Sequence, residues 1–158
     1  MSEVAPNLPE SILKTLRQAV KEGEPRALEL VYALHRTLPR QEENELLGAE
    51  PMMGEGAEDA IKPEVRAMLD SEWVKYEAFE YGALLRVELG NVNVLAFERI
   101  AGPERLLIVN NLAPLSQPVK FRDYAGRVGW DILNRVEFNF PVRAQLEPYE
   151  FLWLMVDA

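Results

Sequence analysis

Apolar positions in this chain recur with two different periods. Through residues 1–40 the spacing is three and four. Ile12, Leu13, Leu16, Ala19 and Val20 fall on one stripe, and Ala27, Leu28, Val31, Leu34 and Leu38 on another. That spacing predicts two amphipathic helices. Asn7-Leu8-Pro9-Glu10 reads as a capping box before the first. Gly23 offers a left-handed stop, Pro25 a helix start, and Pro39 an end. The result is a helical hairpin over residues 1–40 whose apolar faces need cover.

From residue 73 onward the pattern shortens. Runs at 83–88, 92–99, 105–110, 117–121, 130–133, 135–140 and 151–156 are rich in strand formers. Turn residues such as Gly90-Asn91 and Ala101-Gly102-Pro103-Glu104 separate them. Leu106-Leu107-Ile108-Val109 is continuously apolar, as a fully buried strand requires. No helical pattern intervenes, so residues 73–158 are expected to form an antiparallel β-sandwich. Tyr149, Phe151 and Trp153 alternate and therefore share one strand face. Leu107, Val109, Phe151 and Trp153 are the expected core.

Between the two regions the chain turns acidic. Residues 41–61 hold seven acids and no base, interrupted by Gly48, Pro51, Gly54 and Gly56. Like charges repel, and there is little to bury, so this stretch reads as a mobile linker. A short helix is expected over 63–70, which makes 41–72 an acidic linker with one helix. The fold class is thus α+β: helical hairpin, linker, then antiparallel sandwich.

Charge and composition narrow the function. The 158 residues include 17 Lys and Arg against 26 Asp and Glu, for a net charge of −9. Residues 1–72 carry −7 of that and residues 73–158 carry −2. Nucleic acid and anionic membranes both require clustered bases, so neither is an expected partner. The absence of cysteine excludes disulfides, thiol catalysis and thiolate metal sites. The start of the chain lacks the basic and apolar segments of a signal peptide, and no run approaches the ~20 apolar residues of a membrane span. A cytoplasmic location is the expectation, and neither a cofactor nor a metal is implied.

Three stretches carry a family resemblance. Asn93-Val94-Leu95-Ala96-Phe97-Glu98-Arg99 is similar to an opening strand that ends in Arg. Glu104-Arg105-Leu106-Leu107-Ile108-Val109-Asn110-Asn111-Leu112, followed by Gln117-Pro118-Val119, is similar to a central strand with its Asn-Leu turn. Tyr124-Ala125-Gly126-Arg127-Val128 leads on to Leu146-Glu147-Pro148-Tyr149-Glu150-Phe151-Leu152-Trp153-Leu154, similar to a closing strand with a Phe-x-Trp pair. In this order they resemble the C-terminal β-domain of trehalose synthases and related α-amylase-family glucosyltransferases. The resemblance implies a β-sandwich and a setting in α-glucan or trehalose metabolism. It implies no activity, because the family's catalytic carboxylates sit on a (β/α)₈ barrel of ~250 residues, and no catalytic residue transfers to this chain.

The candidate site residues are few. Glycoside chemistry needs two facing carboxyl groups, and nothing brings together any pair from Glu88, Glu98, Asp123, Asp131 and Glu137. His35, the single histidine, lies beside the second apolar stripe, where packing or partial exposure explains it. Sugar rings stack on exposed indoles, which singles out Trp73, after the linker, and Trp130, after Gly129. The expected role is a non-catalytic accessory domain that docks on an α-amylase-family catalytic chain or on itself as a homodimer through the hairpin. The alternative is a carbohydrate-binding module that holds α-glucan through Trp73 or Trp130. An enzyme of another type would need an enclosed pocket with converging polar groups.

Overall fold

The helices begin and end where local chemistry sets them. In a computed structural model that describes residues 7–156, α1 spans Glu10–Lys21 and α2 spans Pro25–Thr37. The capping box does not form: Pro9 occupies the cap position, and no side chain caps α1. Asn7 lies two residues too early to reach the first-turn amides. Gly23 takes φ +76° between the helices, and the Glu24 carboxylate accepts from the Ala27 amide at 2.7 Å to cap α2.

The expected linker is a second correction. A helix, α3, covers Arg40–Leu47, and Leu47, Met52 and Ile61 are all buried. Two effects outweigh the charge. Glu42 and Glu43 lie in the first turn of α3, where the helix dipole favours anions. The few apolar side chains are placed so that each docks into the same core as α2. Arg17 of α1 closes the far end by donating to the Leu47 carbonyl at 2.6 Å. After a 3₁₀ turn at Ala57–Ala60 come α4 (Pro63–Trp73) and α5 (Glu77–Tyr81). No described helix is long and apolar enough to cross a membrane.

The strands are β1 (Ala83–Val87), β2 (Val94–Ala101), β3 (Glu104–Asn111), β4 (Gln117–Lys120), β5 (Val128–Asp131), β6 (Val136–Asn139), β7 (Arg143–Leu146) and β8 (Phe151–Val156). Six form one sheet in the order β1-β2-β3-β8-β5-β6, and β4 and β7 form a separate ribbon. Every pairing is antiparallel. Strand β7 escapes the sequence pattern because Arg143-Ala144-Gln145-Leu146 has a single large apolar residue.

The large sheet has a core on each side. On one side Leu95, Phe97, Leu106, Ile108 and Trp153 pack against the helices. On the other Val94, Ala96, Leu107, Val109 and Leu154 pack toward the ribbon with Val119, Phe121 and Leu146. The expected core residues therefore divide. Leu107 and Val109 face the ribbon, while Trp153, fully buried, and Phe151, half-buried, face the helices. The aromatic alternation did mark a core face, but helices cover it, not a second sheet.

The same packing removes the reason for a hairpin-mediated dimer. Leu16, Val20, Leu28, Val31, Leu34 and Leu38 are buried against their own chain. A polar pin crosses this interface. Arg99, buried in β2, donates to the Thr37 carbonyl at 2.5 Å and to the Gly82 carbonyl at 3.0 Å. These oxygens end α2 and follow α5, where the helix dipoles favour a cation.

Burial on both faces makes a direct prediction. Leu106→Ala and Leu107→Ala, adjacent but facing opposite layers, should each cost about 2–5 kcal/mol in denaturant unfolding. A sheet with an open helix side would show a loss for Leu107→Ala alone.

Candidate functional site

Trp73 ends α4 and is half-buried. Its indole N–H donates to the Arg36 carbonyl at 2.5 Å, and the Arg36 guanidinium lies 5.5 Å from its ring centroid. The ring is therefore engaged on one face and at its donor. Trp130 is different. It sits on β5 with 42% of its surface exposed, and no described residue bonds its indole N–H. The two tryptophans lie on separate elements, and no groove joins them.

The side chains around Trp130 follow from register. Trp130 pairs with Glu137 on one side and Met155 on the other, and Val128 pairs with Asn139. Directly opposed residues project from the same face. Met155 packs against the helix-side core, so this is the helix-facing side of the sheet. The helices cover β2, β3 and β8 there, whereas Val128, Trp130, Glu137 and Asn139 are exposed.

The remaining carboxylates are dispersed. Glu88, Asp123 and Glu137 are not buried, whereas Glu98 and Asp131 are. Both buried groups are committed. Asp131 accepts from the amide and side chain of Asn134 at 3.0 and 2.8 Å and so fixes the β5–β6 turn. Glu98 receives Arg105 in a two-pronged bond, both arms 2.7 Å, and the Tyr124 hydroxyl. Burial, and after it the bond to Glu98, holds that hydroxyl far above the ordinary tyrosine range. This cluster is absent from the sequence reading, although Glu98 and Arg105 flank a hairpin turn as diagonal neighbours, Glu98 opposite Leu107 and Arg105 opposite Ile100.

Of packing and exposure, the structure shows exposure for His35, which pairs with Glu43 of α3 at 3.2 Å. The bond to Glu43 raises its pKa. It borders an open cleft of about 750 Å³ in which Arg36 bridges to Asp70 at 2.8 Å and Tyr32 donates to Asp70 at 2.6 Å. These charges satisfy one another. Among the described residues no three His, Asp or Glu converge as metal ligands would.

Residues 86–153 match a family model described as the C-terminal domain of maltogenic amylase. No curated protein matches the chain. Among solved structures, an Anoxybacillus α-amylase superposes with a TM-score of 0.61 at 14% identity, over 90% of this chain and 35% of that one. The trehalulose synthase MutB from Pseudomonas mesoacidophila MX-45 gives 0.52 at 13% identity, over 77% and 24%. AmyP in complex with maltose gives 0.51 at 17% identity, over 67% and 22%. The likeness is one of fold, and the chain spans about a third or less of the solved structures it matches.

The Tyr124 hydroxyl yields a pH prediction. A folded-state pKa raised above the unfolded value means the stabilisation is full below the unfolded tyrosine pKa, about 10. It is lost as pH rises beyond that. Denaturant unfolding across the alkaline range should therefore show stability falling less steeply for Tyr124→Phe than for the unaltered chain. Equal slopes would show that Tyr124 is not held protonated by folding.

Proposed function

We propose that this chain, whose residues 86–153 form a C-terminal domain of the maltogenic-amylase type, is a non-catalytic accessory domain of α-glucan or trehalose metabolism. The family match carries the reading. The buried carboxylates support it. Glu72 is held by Lys75 and Arg135, Glu98 by Arg105 and Tyr124, and Asp131 by Asn134. A glycosidase needs one carboxyl free to give up a proton and another free to attack or to activate water. These buried groups are instead committed to partners within their own chain.

Docking on an α-amylase-family catalytic chain is the partner this reading favours. The α-amylase, the trehalulose synthase and the maltose-bound AmyP that the chain resembles in fold are longer chains matched over 35%, 24% and 22% of their length, which supports this reading. A homodimer built on the hairpin is less favoured, because α1 and α2 bury their stripes at home. Sedimentation of the chain alone should give a monomer. Addition of an α-amylase-family barrel lacking its own C-terminal domain should give a faster-moving complex.

Catalysis gives the plainest test. The purified chain should release no product from maltose, trehalose or starch and make no transfer product. Activity that follows the protein peak through a sizing column overturns the accessory role.

A further inference from the structure

We infer that the bare part of the helix-facing sheet, built on β5 and β6, is a binding site for one sugar ring of a neutral α-glucan. Trp130 is the stacking platform, and Glu137 and Asn139 are its hydrogen-bonding partners. The inference rests on the carbohydrate setting proposed above and supplies what that reading lacks, a ligand and the residues that hold it.

Four side chains share this face by register: Trp130 opposite Glu137, and Val128 opposite Asn139. Cross-strand neighbours of this kind lie about 5 Å apart at Cβ, and diagonal ones about 7–8 Å. A ring lying on the indole is thus within reach of both polar side chains. The indole is 42% exposed and Val128 41%, whereas Trp153, on the same side under the helices, is fully buried. Beyond the backbone pairing of β5 and β6, the side chains of Glu137 and Asn139 make no hydrogen bond or ion pair with another described residue. A carboxylate accepts, and an amide both donates and accepts. That combination matches adjacent sugar hydroxyls, while the C–H face of a pyranose matches an indole.

Size and charge exclude the other occupants. A stable protein interface takes about 800 Å² from each partner and some 20–30 residues, far more than four side chains supply. A nucleotide or sugar phosphate would meet Glu137 in a chain of net charge −9, no base stands opposite Trp130 or Val128 in register, and Arg135, in the turn of this hairpin, is already paired with Glu72 at 2.9 Å. A neutral polyol remains. Trp73, the other candidate platform, already has its N–H on the Arg36 carbonyl and a guanidinium against its ring.

Titration of the purified chain with maltoheptaose, followed by tryptophan fluorescence and calorimetry, tests this. Saturable binding is expected. Trp130→Ala should weaken it by about tenfold or more, Trp130→Tyr should keep most of it, and Glu137→Ala should weaken it severalfold. Trp73→Phe should leave it unchanged. Trp130 is a surface residue, so an unaltered unfolding midpoint for Trp130→Ala establishes that the fold is intact. No saturable binding by the unaltered chain overturns the inference, as does full binding by Trp130→Ala. Loss of complex formation with a catalytic barrel in Trp130→Ala, with maltoheptaose binding intact, also overturns it and marks the face as a protein contact. Failure of the accessory reading shows itself separately, as turnover.

Discussion

Strands β2, β3 and β8 have no face toward water, so the sheet has to be covered twice. Leu106, Leu107, Ile108 and Val109 each reach zero exposure, and alternate ones point to opposite layers. Burying a large aliphatic side chain is worth about 1.5–3 kcal/mol, and neither layer alone provides cover for all of them. The helices supply one lid and the β4–β7 ribbon with its flanking aromatics the other. A sandwich without the helices would leave Trp153 and Ile108 in solvent.

Neighbouring residues on β2 fasten the two lids. Glu98 faces the ribbon side and is filled by Arg105 and Tyr124. Arg99 faces the helices and takes up the carbonyls of Thr37 and Gly82. A buried charge left without a partner is costly, so each of these bonds rejects alternative placements of its lid. The Asn110 and Asn111 pair does similar work at the end of β3. Asn110 donates to the Leu95 carbonyl, and Asn111 to those of Leu115 and Glu147, which anchors the crossing to the ribbon. The motif residues of the family resemblance therefore serve mainly to hold layers together.

What the lids leave bare lies at the margin of the large sheet. Beyond Met155 the turn of the β5–β6 hairpin is still tied to the helices, through Ile132 in the helix-side core and Arg135 on Glu72 of α4, whereas Trp130 and Glu137 on its strands are exposed. The carboxylates inside the fold are committed to holding it, and those outside are scattered.

Much of this was legible in the chain because it depends on local periodicity. The stripes of α1 and α2, the stop at Gly23, the buried run in β3 and the alternation of Tyr149, Phe151 and Trp153 all state which side of an element is apolar. The order of the three motifs carried the resemblance to the α-amylase-family C-terminal domain, and residues 86–153 match the model of a maltogenic-amylase C-terminal domain. What the chain did not state is what each apolar face meets. Whether Trp153 lies under helices or under a second sheet, whether 41–61 folds, and whether the hairpin stays at home depend on contacts between residues far apart in sequence. The acidic stretch misled because charge density measures repulsion along the chain, while Leu47, Met52 and Ile61 gain their burial from α2 and its neighbours. Trp130 could be noticed as an indole after a glycine. Only the register that sets it beside Glu137, and the helices that stop short of it, decided that it remains open, because exposure is a property of the packed layers and not of the residue.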